Sequence, residues 1–458
     1  MTNSLKFGTS GLRGLADELA GPETRRYAAA FVAHLRMSGW TGSEILVGRD
    51  LRTSSPAIVQ SVLEAMGACE ISVHDAGAVP TPALALAALN HSLPAIMVTG
   101  SHIPGDRNGL KFYLPTGEIT KADEEGIVRA LAEPAAGRTA SAPAPDIIQK
   151  YRTRYEGLMD GDALAGWHIG VWQHSSVARD LMVDLIRSTG AEPVPIDRSE
   201  TFVPVDTEAV SPIAQLQIAE WVMRHKLDAL VSTDGDADRP LVADETGALV
   251  RGDILGILTA QALAAQTVVT PVTSNSTIER LFPNVVRTKV GSPYVIAGMV
   301  GPAGPVVGFE ANGGVLLGSG VRFGGASLAA LPTRDAMLPI LAVLREARRM
   351  EMTVTELVAT LPPRFARSDR LEDVPPDQSG RLLAKLRDDA PEFLRAQGSI
   401  GHFSEIDGLR YEMGSGDVIH YRPSGNAPEL RCYVEAGTPE RADDLLRWGL
   451  AAAEAVVR

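Results

Sequence analysis

Twice along this chain a short apolar run stops abruptly at a glycine-containing polar loop: residues 93–98 lead into TGSHIPGDRNG, and residues 227–232 lead into TDGDADR. A buried strand whose carboxyl end opens into such a loop points to an open α/β sheet, which binds its ligands at that edge. The surrounding segments keep to this plan. Apolar spacing predicts helices over 22–37, 55–66 and 82–89, strands over 44–47 and 70–74, an extended segment at 111–114 and a helix over 122–132. Residues 137–145, rich in Ala, Pro, Ser and Thr, read as a linker. Beyond it come helices over 147–158, 176–188 and 215–225 and strands over 168–172 and 192–196. A third cycle begins near Arg251, with helices over 254–264 and 277–281 and strands over 267–272, 285–289 and 306–309. Two polar loops after equivalent strands suggest a duplicated α/β unit, although no strict sequence repeat is present. The tail differs. After the charged, Pro-containing residues 362–378 it predicts a helix over 379–387, strands at 407–410, 418–422 and 430–435, and a closing helix over 441–457, together an α+β domain.

At 458 residues the chain exceeds what one hydrophobic core serves. It divides into α/β domains over 1–148, 149–250 and 251–361 and the α+β domain over 362–458. Cys69 and Cys432 are the only cysteines, so a disulfide framework and a cysteine metal site are both excluded. Lying in or beside apolar runs, both read as buried reduced thiols. The formal charge of −13 argues against nucleic acid as a partner, which needs clustered Lys and Arg. It has no bearing on small phosphorylated ligands. The opening MTNSLKFGTSGLRG lacks a basic segment followed by an apolar stretch, and no apolar run reaches the roughly 20 residues of a membrane span. A cytoplasmic protein without membrane contact, monomeric or weakly dimeric, is the expectation.

Four constellations carry chemistry. In the first loop the Ser101 hydroxyl follows a buried strand directly, glycines let backbone amides approach an anion, and Lys111 stands close by. The same residues also fit a turn with an N-capping serine. In the second loop Asp234, Asp236 and Asp238 alternate and can converge on one hard cation, with Arg239 next to them. A solvated acidic turn is the competing reading. Tyr421-Arg422-Pro423-Ser424-Gly425-Asn426, with Arg431, combines a hydroxyl, an amide, a glycine backbone and two guanidinium groups into a phosphate cradle, or forms an ordinary hairpin. In Gly308-Phe309-Glu310-Ala311-Asn312-Gly313-Gly314, Glu310 and Asn312 can bind sugar hydroxyls, or the glycines serve only a turn. The histidine pairs lack acidic partners at ligand spacing, which excludes a zinc centre.

Taken together, these motifs resemble the α-D-phosphohexomutase family over essentially the whole chain and in family order. The resemblance implies three related α/β domains and a carboxy-terminal TBP-like domain around a central cleft. Its serine loop, T-A-S-H-N-P then N-G-x-K, is answered by Thr99, Gly100, Ser101, His102, Ile103, Pro104, Asn108, Gly109 and Lys111. This implies a phosphorylated Ser101, with Lys111 or His102 handling the proton. The metal motif D-G-D-x-D-R implies Mg²⁺ on Asp234, Asp236, Asp238 and an oxygen of phosphorylated Ser101, with Arg239 beside it. Phe7-Gly8-Thr9-Ser10-Gly11-Leu12-Arg13-Gly14 matches the amino-terminal motif and implies Arg13 at the catalytic centre. The R-x-S-G-T-E-P motif becomes Arg422, Pro423, Ser424, Gly425, Asn426, Ala427 and Pro428, which implies a phosphate held by Arg422, Ser424, Gly425, Asn426 and Arg431. Two departures fall in the third domain. The G-E-x-S-G-H loop keeps Glu310 but has Asn312 and Gly314 for its serine and histidine. The V-G-H loop reads Val290-Gly291-Ser292, so Lys289, Ser292, Glu310 and Asn312 remain as sugar-binding candidates without an imidazole. The wording is most similar to bacterial phosphomannomutases. This implies interconversion of mannose 6-phosphate and mannose 1-phosphate through a hexose 1,6-bisphosphate, with glucose and then glucosamine phosphates as alternatives. A non-catalytic phosphosugar-binding protein is the alternative from another class.

Overall fold

The computed structural model describes residues 5–8, 11–133, 136–139, 141–144, 146–156, 158–159, 161–424 and 428–458. They fall into two compact units, Met1–Val268 with Gly291–Val358, and Val269–Val290 with Ala359–Arg458. Among the described residues no helix is long and apolar enough to cross a membrane.

In the first unit one strand order appears twice. Ser72–Ala78, Glu44–Arg49 and Ala95–Val98 lie parallel in that spatial order, and Arg107–Leu114 runs antiparallel beside the last. In the next sheet Glu192–Arg198, His168–His174 and Ala229–Thr233 are parallel, and Pro240–Ala243 is antiparallel. The duplication is therefore one of topology, and each polar loop leaves the third of the parallel strands named. Ala95–Val98 and Ala229–Thr233 are buried at every position. A strand covered on both faces reads as a continuous apolar run, and polarity returns only where the chain leaves the sheet. A third strand-to-loop junction follows the same pattern: Val306–Phe309 ends at Glu310, and Val315–Leu317 returns antiparallel to it.

The helix Pro22–Met37 starts on a proline whose missing N–H would be unpaired there in any case. It turns Tyr27, Phe31 and Leu35 into the core, where the Phe31 and Phe112 rings lie 4.9 Å apart. The short amino-terminal strand Leu12–Leu15 pairs antiparallel with Arg107–Leu114, setting Arg13 opposite Gly109 beside the serine loop.

The presumed linker, residues 137–145, is partly built into this sheet. Ser141–Pro143 forms an edge strand parallel to Ser72–Ala78, and Gly137 donates to the Glu64 carbonyl at 2.9 Å. Its glycine serves close packing: a Cβ at Gly137 would meet the Gly67 backbone carbon at 2.5 Å. Cys69 is half-buried, unlike Cys432, which is buried.

The second unit holds a five-stranded antiparallel sheet in the order Phe365–Leu371, Leu430–Ala436, Val418–Pro423, Leu409–Met413, Ile400–Ser404. The helices Pro376–Phe393 and Pro439–Val457 pack their apolar side chains with it, Leu382, Leu386 and Leu445 joining Ile419, Tyr421 and Val434. This is the α+β arrangement expected of the tail. Both edge strands lie in stretches where no strand is expected. Neither buries more than one residue, so neither needs the apolar alternation that marks the three central strands.

Candidate active site

The serine loop is fixed by charge from the neighbouring strand end. Asp50, at the end of Glu44–Arg49, accepts from the Thr99 hydroxyl at 2.8 Å and the Gly100 amide at 3.3 Å, and Thr99 Oγ1 accepts from the Ser101 amide at 2.8 Å. Arg52 spends all five of its N–H donors here. It binds Asp50 Oδ2 at 3.2 Å and the carbonyls of Ser101, Ile103, Pro104 and Arg107 at 2.9, 2.6, 2.7 and 3.0 Å. Phe202 covers the guanidinium, its ring centroid 4.0 Å from Cζ. Glycine is required at position 100 because a Cβ there would lie 2.6 Å from Arg52 Cζ. Ser101 itself is left-handed, with φ 54°. A non-glycine residue held in that region signals a conformation imposed by its surroundings.

The Ser101 hydroxyl donates to Asp234 Oδ2 at 2.5 Å and lies 3.2 Å from His102 Nδ1. Burial, followed by Arg239 and Arg13, pushes the His102 imidazole down to about 2, so the ring is neutral. Asp234, Asp236 and Asp238 are buried and offer carboxylate oxygens all within 4.8 Å of one another. Burial and the two neighbouring carboxylates hold Asp234 well above its usual range. At Asp238 burial acts in the same direction, but Arg334, Lys111 and Arg239 outweigh it and the carboxyl titrates low. Lys111 Nζ lies 2.6 Å from Asp236 and 2.5 Å from Asp238, and these carboxylates keep it protonated despite burial. Thr81 donates to Asp236 at 2.6 Å. Among the described residues, Asp236 Oδ1 and Asp238 Oδ1 are buried without any hydrogen-bond partner. Three converging carboxylates with unsatisfied oxygens form the hard-oxygen donor set that Mg²⁺ takes.

Arg239 lies between 3.7 and 3.9 Å from Asp206, Glu208, Asp234 and Asp238, and its Nε has no hydrogen-bond partner among the described residues. Burial, with Arg239 and Arg334 nearby, lowers Arg13 to about 10. Arg334 lies outside every sequence motif. It donates to Asp238 Oδ2 at 2.7 Å, Glu310 Oε2 at 2.7 Å and Ser292 Oγ at 2.7 Å. Glu310 also accepts from Ser292 at 3.1 Å, and Asn312 Oδ1 accepts from the Gly314 amide at 3.0 Å.

The first unit thus brings Ser101, His102, Lys111, Arg13, the three aspartates and Arg239 into one electrostatic cluster, and Arg334 links Glu310 and Ser292 to it. Lys289, Arg422, Ser424 and Arg431 lie in the second unit. Gly425 and Asn426 lie outside the described residues. Arg422 donates to Asp407 at 2.7 Å, and the same oxygen accepts from the Val290 amide at 3.0 Å. Cross-strand register sets Arg370 opposite Arg431 and Arg431 opposite Arg422. Three like charges abreast repel one another. Among the described residues three carboxylates offset them: Glu372 at 3.0 Å and Glu429 at 3.4 Å from Arg370, Glu429 at 3.5 Å from Arg431, and Asp407 at 2.7 Å from Arg422.

Arg52, Thr81 and Arg334 were not legible as site residues. Each acts on residues distant in sequence, and the only local cue was a buried-strand end at Gly48-Arg49-Asp50.

Residues 4–137, 154–247 and 251–365 match the models for phosphoglucomutase/phosphomannomutase α/β/α domains I, II and III. The chain is 48% identical to a phosphomannomutase of Sinorhizobium fredii, covering 97% of this chain and 98% of that one. It is 42% identical to a phosphomannomutase of Salmonella muenchen, covering 97% and 94%. A solved phosphoglucomutase/phosphomannomutase family protein of Burkholderia thailandensis superposes with a TM-score of 0.77 at 24% identity, covering 97% of both chains.

Proposed function

The chain belongs to the phosphoglucomutase/phosphomannomutase family, and from that premise we propose that it interconverts mannose 6-phosphate and mannose 1-phosphate through phosphorylated Ser101 and a hexose 1,6-bisphosphate. The observation that carries the chemistry is the Ser101 hydroxyl on Asp234 Oδ2 at 2.5 Å, within the three-carboxylate cluster. The choice of mannose rests on the two phosphomannomutase relatives at 48% and 42% identity.

In the forward step a sugar hydroxyl attacks the phosphorus on Ser101. A new O–P bond forms, the P–Oγ bond breaks, and the hydroxyl proton ends on Oγ. Little covalent chemistry is left for the protein, so positioning and charge decide the rate. Arg13 and Arg239 offset negative charge on the transferring group. Lys111, a protonated donor, and His102, whose neutral ring keeps a lone pair near Oγ, are the groups able to move the proton. Mg²⁺ on Asp234, Asp236 and Asp238 would supply a hard Lewis acid for the phosphoryl oxygens. Arg422, Ser424, Gly425, Asn426 and Arg431 hold the substrate's other phosphate, and Lys289, Ser292, Glu310 and Asn312 contact the sugar. Four domains, a cytoplasmic location and no nucleic-acid partner belong to the same reading.

Steady-state kcat/KM for mannose, glucose and glucosamine 1-phosphates, each with Mg²⁺ and the matching 1,6-bisphosphate, tests it. Mannose 1-phosphate is expected to lead. A glucosamine value about tenfold above the mannose value, roughly 1.4 kcal/mol of transition-state preference, would falsify the assignment.

A further inference from the structure

Two positions at which the family pattern carries histidine are Ser292 and Gly314 here. Both are occupied around a single side chain. Ser292 Oγ accepts from Arg334 Nη1 at 2.7 Å. A Cβ at Gly314 would lie 2.7 Å from Arg334 Cδ, 2.9 Å from its Cβ and 2.7 Å from the Asp238 carbonyl oxygen. With Arg334 in place, an imidazole at 314 has no room, and one at 292 would enter the volume of the guanidinium.

We propose that Arg334 stands in for both missing imidazoles, as a positioning residue that ties the sugar-binding carboxylate Glu310 to the metal-loop carboxylate Asp238. This rests on the phosphohexomutase reading above. Four donor assignments from one planar group support it. Nε and Nη2 reach Asp238 Oδ2 at 3.2 and 2.7 Å, and Nη1 reaches Glu310 and Ser292, both at 2.7 Å. Arg334 enters from the strand Leu331–Asp335, is 3% exposed, and meets carboxylates that are themselves buried. Only a guanidinium presents donors in a rigid fork wide enough for both; an ammonium serves one point at a time. The consequence is a division of labour unlike that of two separate histidines. One cation fixes where the sugar is held and where the acidic loop lies, so loosening it disturbs substrate affinity and turnover together.

The test uses full-length protein with Mg²⁺ and whichever hexose 1-phosphate the wild type turns over best. That choice keeps the outcome independent of the mannose assignment. Arg334→Lys keeps the charge and is expected to fold with a Tm near wild type. It should lose at least about tenfold in kcat/KM through both a raised KM and a lowered kcat, because bidentate geometry is lost. Arg334→Ala should lose more, and adding Ser292→His to that variant should restore at least about tenfold of the loss. Near-wild-type kcat/KM in Arg334→Lys overturns the proposal. So does a folded Arg334→Ala/Ser292→His double variant no more active than a folded Arg334→Ala. Should Arg334→Ala alone fail to fold, the lysine variant decides. A wild type that prefers glucose phosphate would refute the mannose reading and leave this comparison intact.

Discussion

The serine loop and the aspartate loop leave equivalent strands of a four-strand order that two sheets share, yet they are held by opposite means. The serine loop offers carbonyl oxygens to a cation that follows a strand of its own sheet, Arg52, and Phe202 covers that guanidinium. The aspartate loop offers carboxylates, and beside its own Arg239 two cations come from other sheets: Lys111 from the first and Arg334 from the strand Leu331–Asp335. Both include a left-handed residue, Ser101 at φ 54° and Ala237 at φ 61°. Equivalent topology therefore fixes where a loop emerges and leaves open how it is stabilised. One loop is pre-shaped locally, while the other is completed by charges that arrive with the tertiary fold.

The sharpest way to break this contrast is at the hydroxyl. Ser101→Ala should reduce turnover by at least about 10⁴-fold and leave the Tm within a few degrees, since the side chain is asked for chemistry and not for packing. Phosphopeptide mapping of active wild-type enzyme should find phosphate on Ser101; phosphate confined to another residue would remove the premise. Next in size, Asp234→Asn should weaken Mg²⁺ binding in calorimetric titration and lower kcat by about 10²–10³-fold. In metal-free protein the same change should raise the Tm or leave it unchanged, because it relieves repulsion in a cluster where burial and two neighbours already hold that carboxyl high. Full turnover after exhaustive chelation would contradict the metal reading.

Arg52→Ala probes the serine loop alone. Removing the cation strands buried Asp50 and four carbonyls, so a loss of about 3–5 kcal/mol in chemical denaturation is expected, with lower kcat and unchanged Mg²⁺ affinity. Mg²⁺ binding that weakened in step would show the two loops to be one mechanical unit. The smallest effect belongs to Gly100→Ala. The new methyl would meet Arg52 Cζ at 2.6 Å and should cost about 1–3 kcal/mol as overpacking. A neutral result would mean that Arg52 can move aside, and hence that the loop is less rigid than its hydrogen bonds imply.

What the sequence discloses follows the same divide. Ser101, Asp234 and Glu310 are readable because each lies within three residues of the end of a fully buried strand, so the change from apolar to polar is written in a few neighbouring residues. Arg334 is separated by 96 residues from the carboxylate it neutralises, and no local pattern distinguishes it from a solvent-facing arginine. Arg52 is legible only as an arginine in a turn, although all its donors are spent within the fold. Elements at sheet edges were hidden for a different reason. Phe365–Leu371 buries one residue in seven, and Ser141–Pro143 none, so burial imposes no alternation on either. The central strands Leu409–Met413, Val418–Pro423 and Leu430–Ala436 could not escape that demand and were readable.

The row of Arg370, Arg431 and Arg422 makes ionic strength a variable for the second unit in a way that it is not for the aspartate cluster. Arg370 and Arg431 remain 49% and 40% exposed, so added electrolyte can reach and screen their mutual repulsion. The pairs around Lys111 and Arg334 are sealed from it. At a Debye length of about 10 Å in 0.1 M salt, neighbours on adjacent strands are only partly shielded, and that shielding tightens toward about 3 Å at 1 M. A buffer chosen for convenience therefore sets part of the resting stability of this sheet. Multivalent oxyanions should quiet it at concentrations where chloride does not.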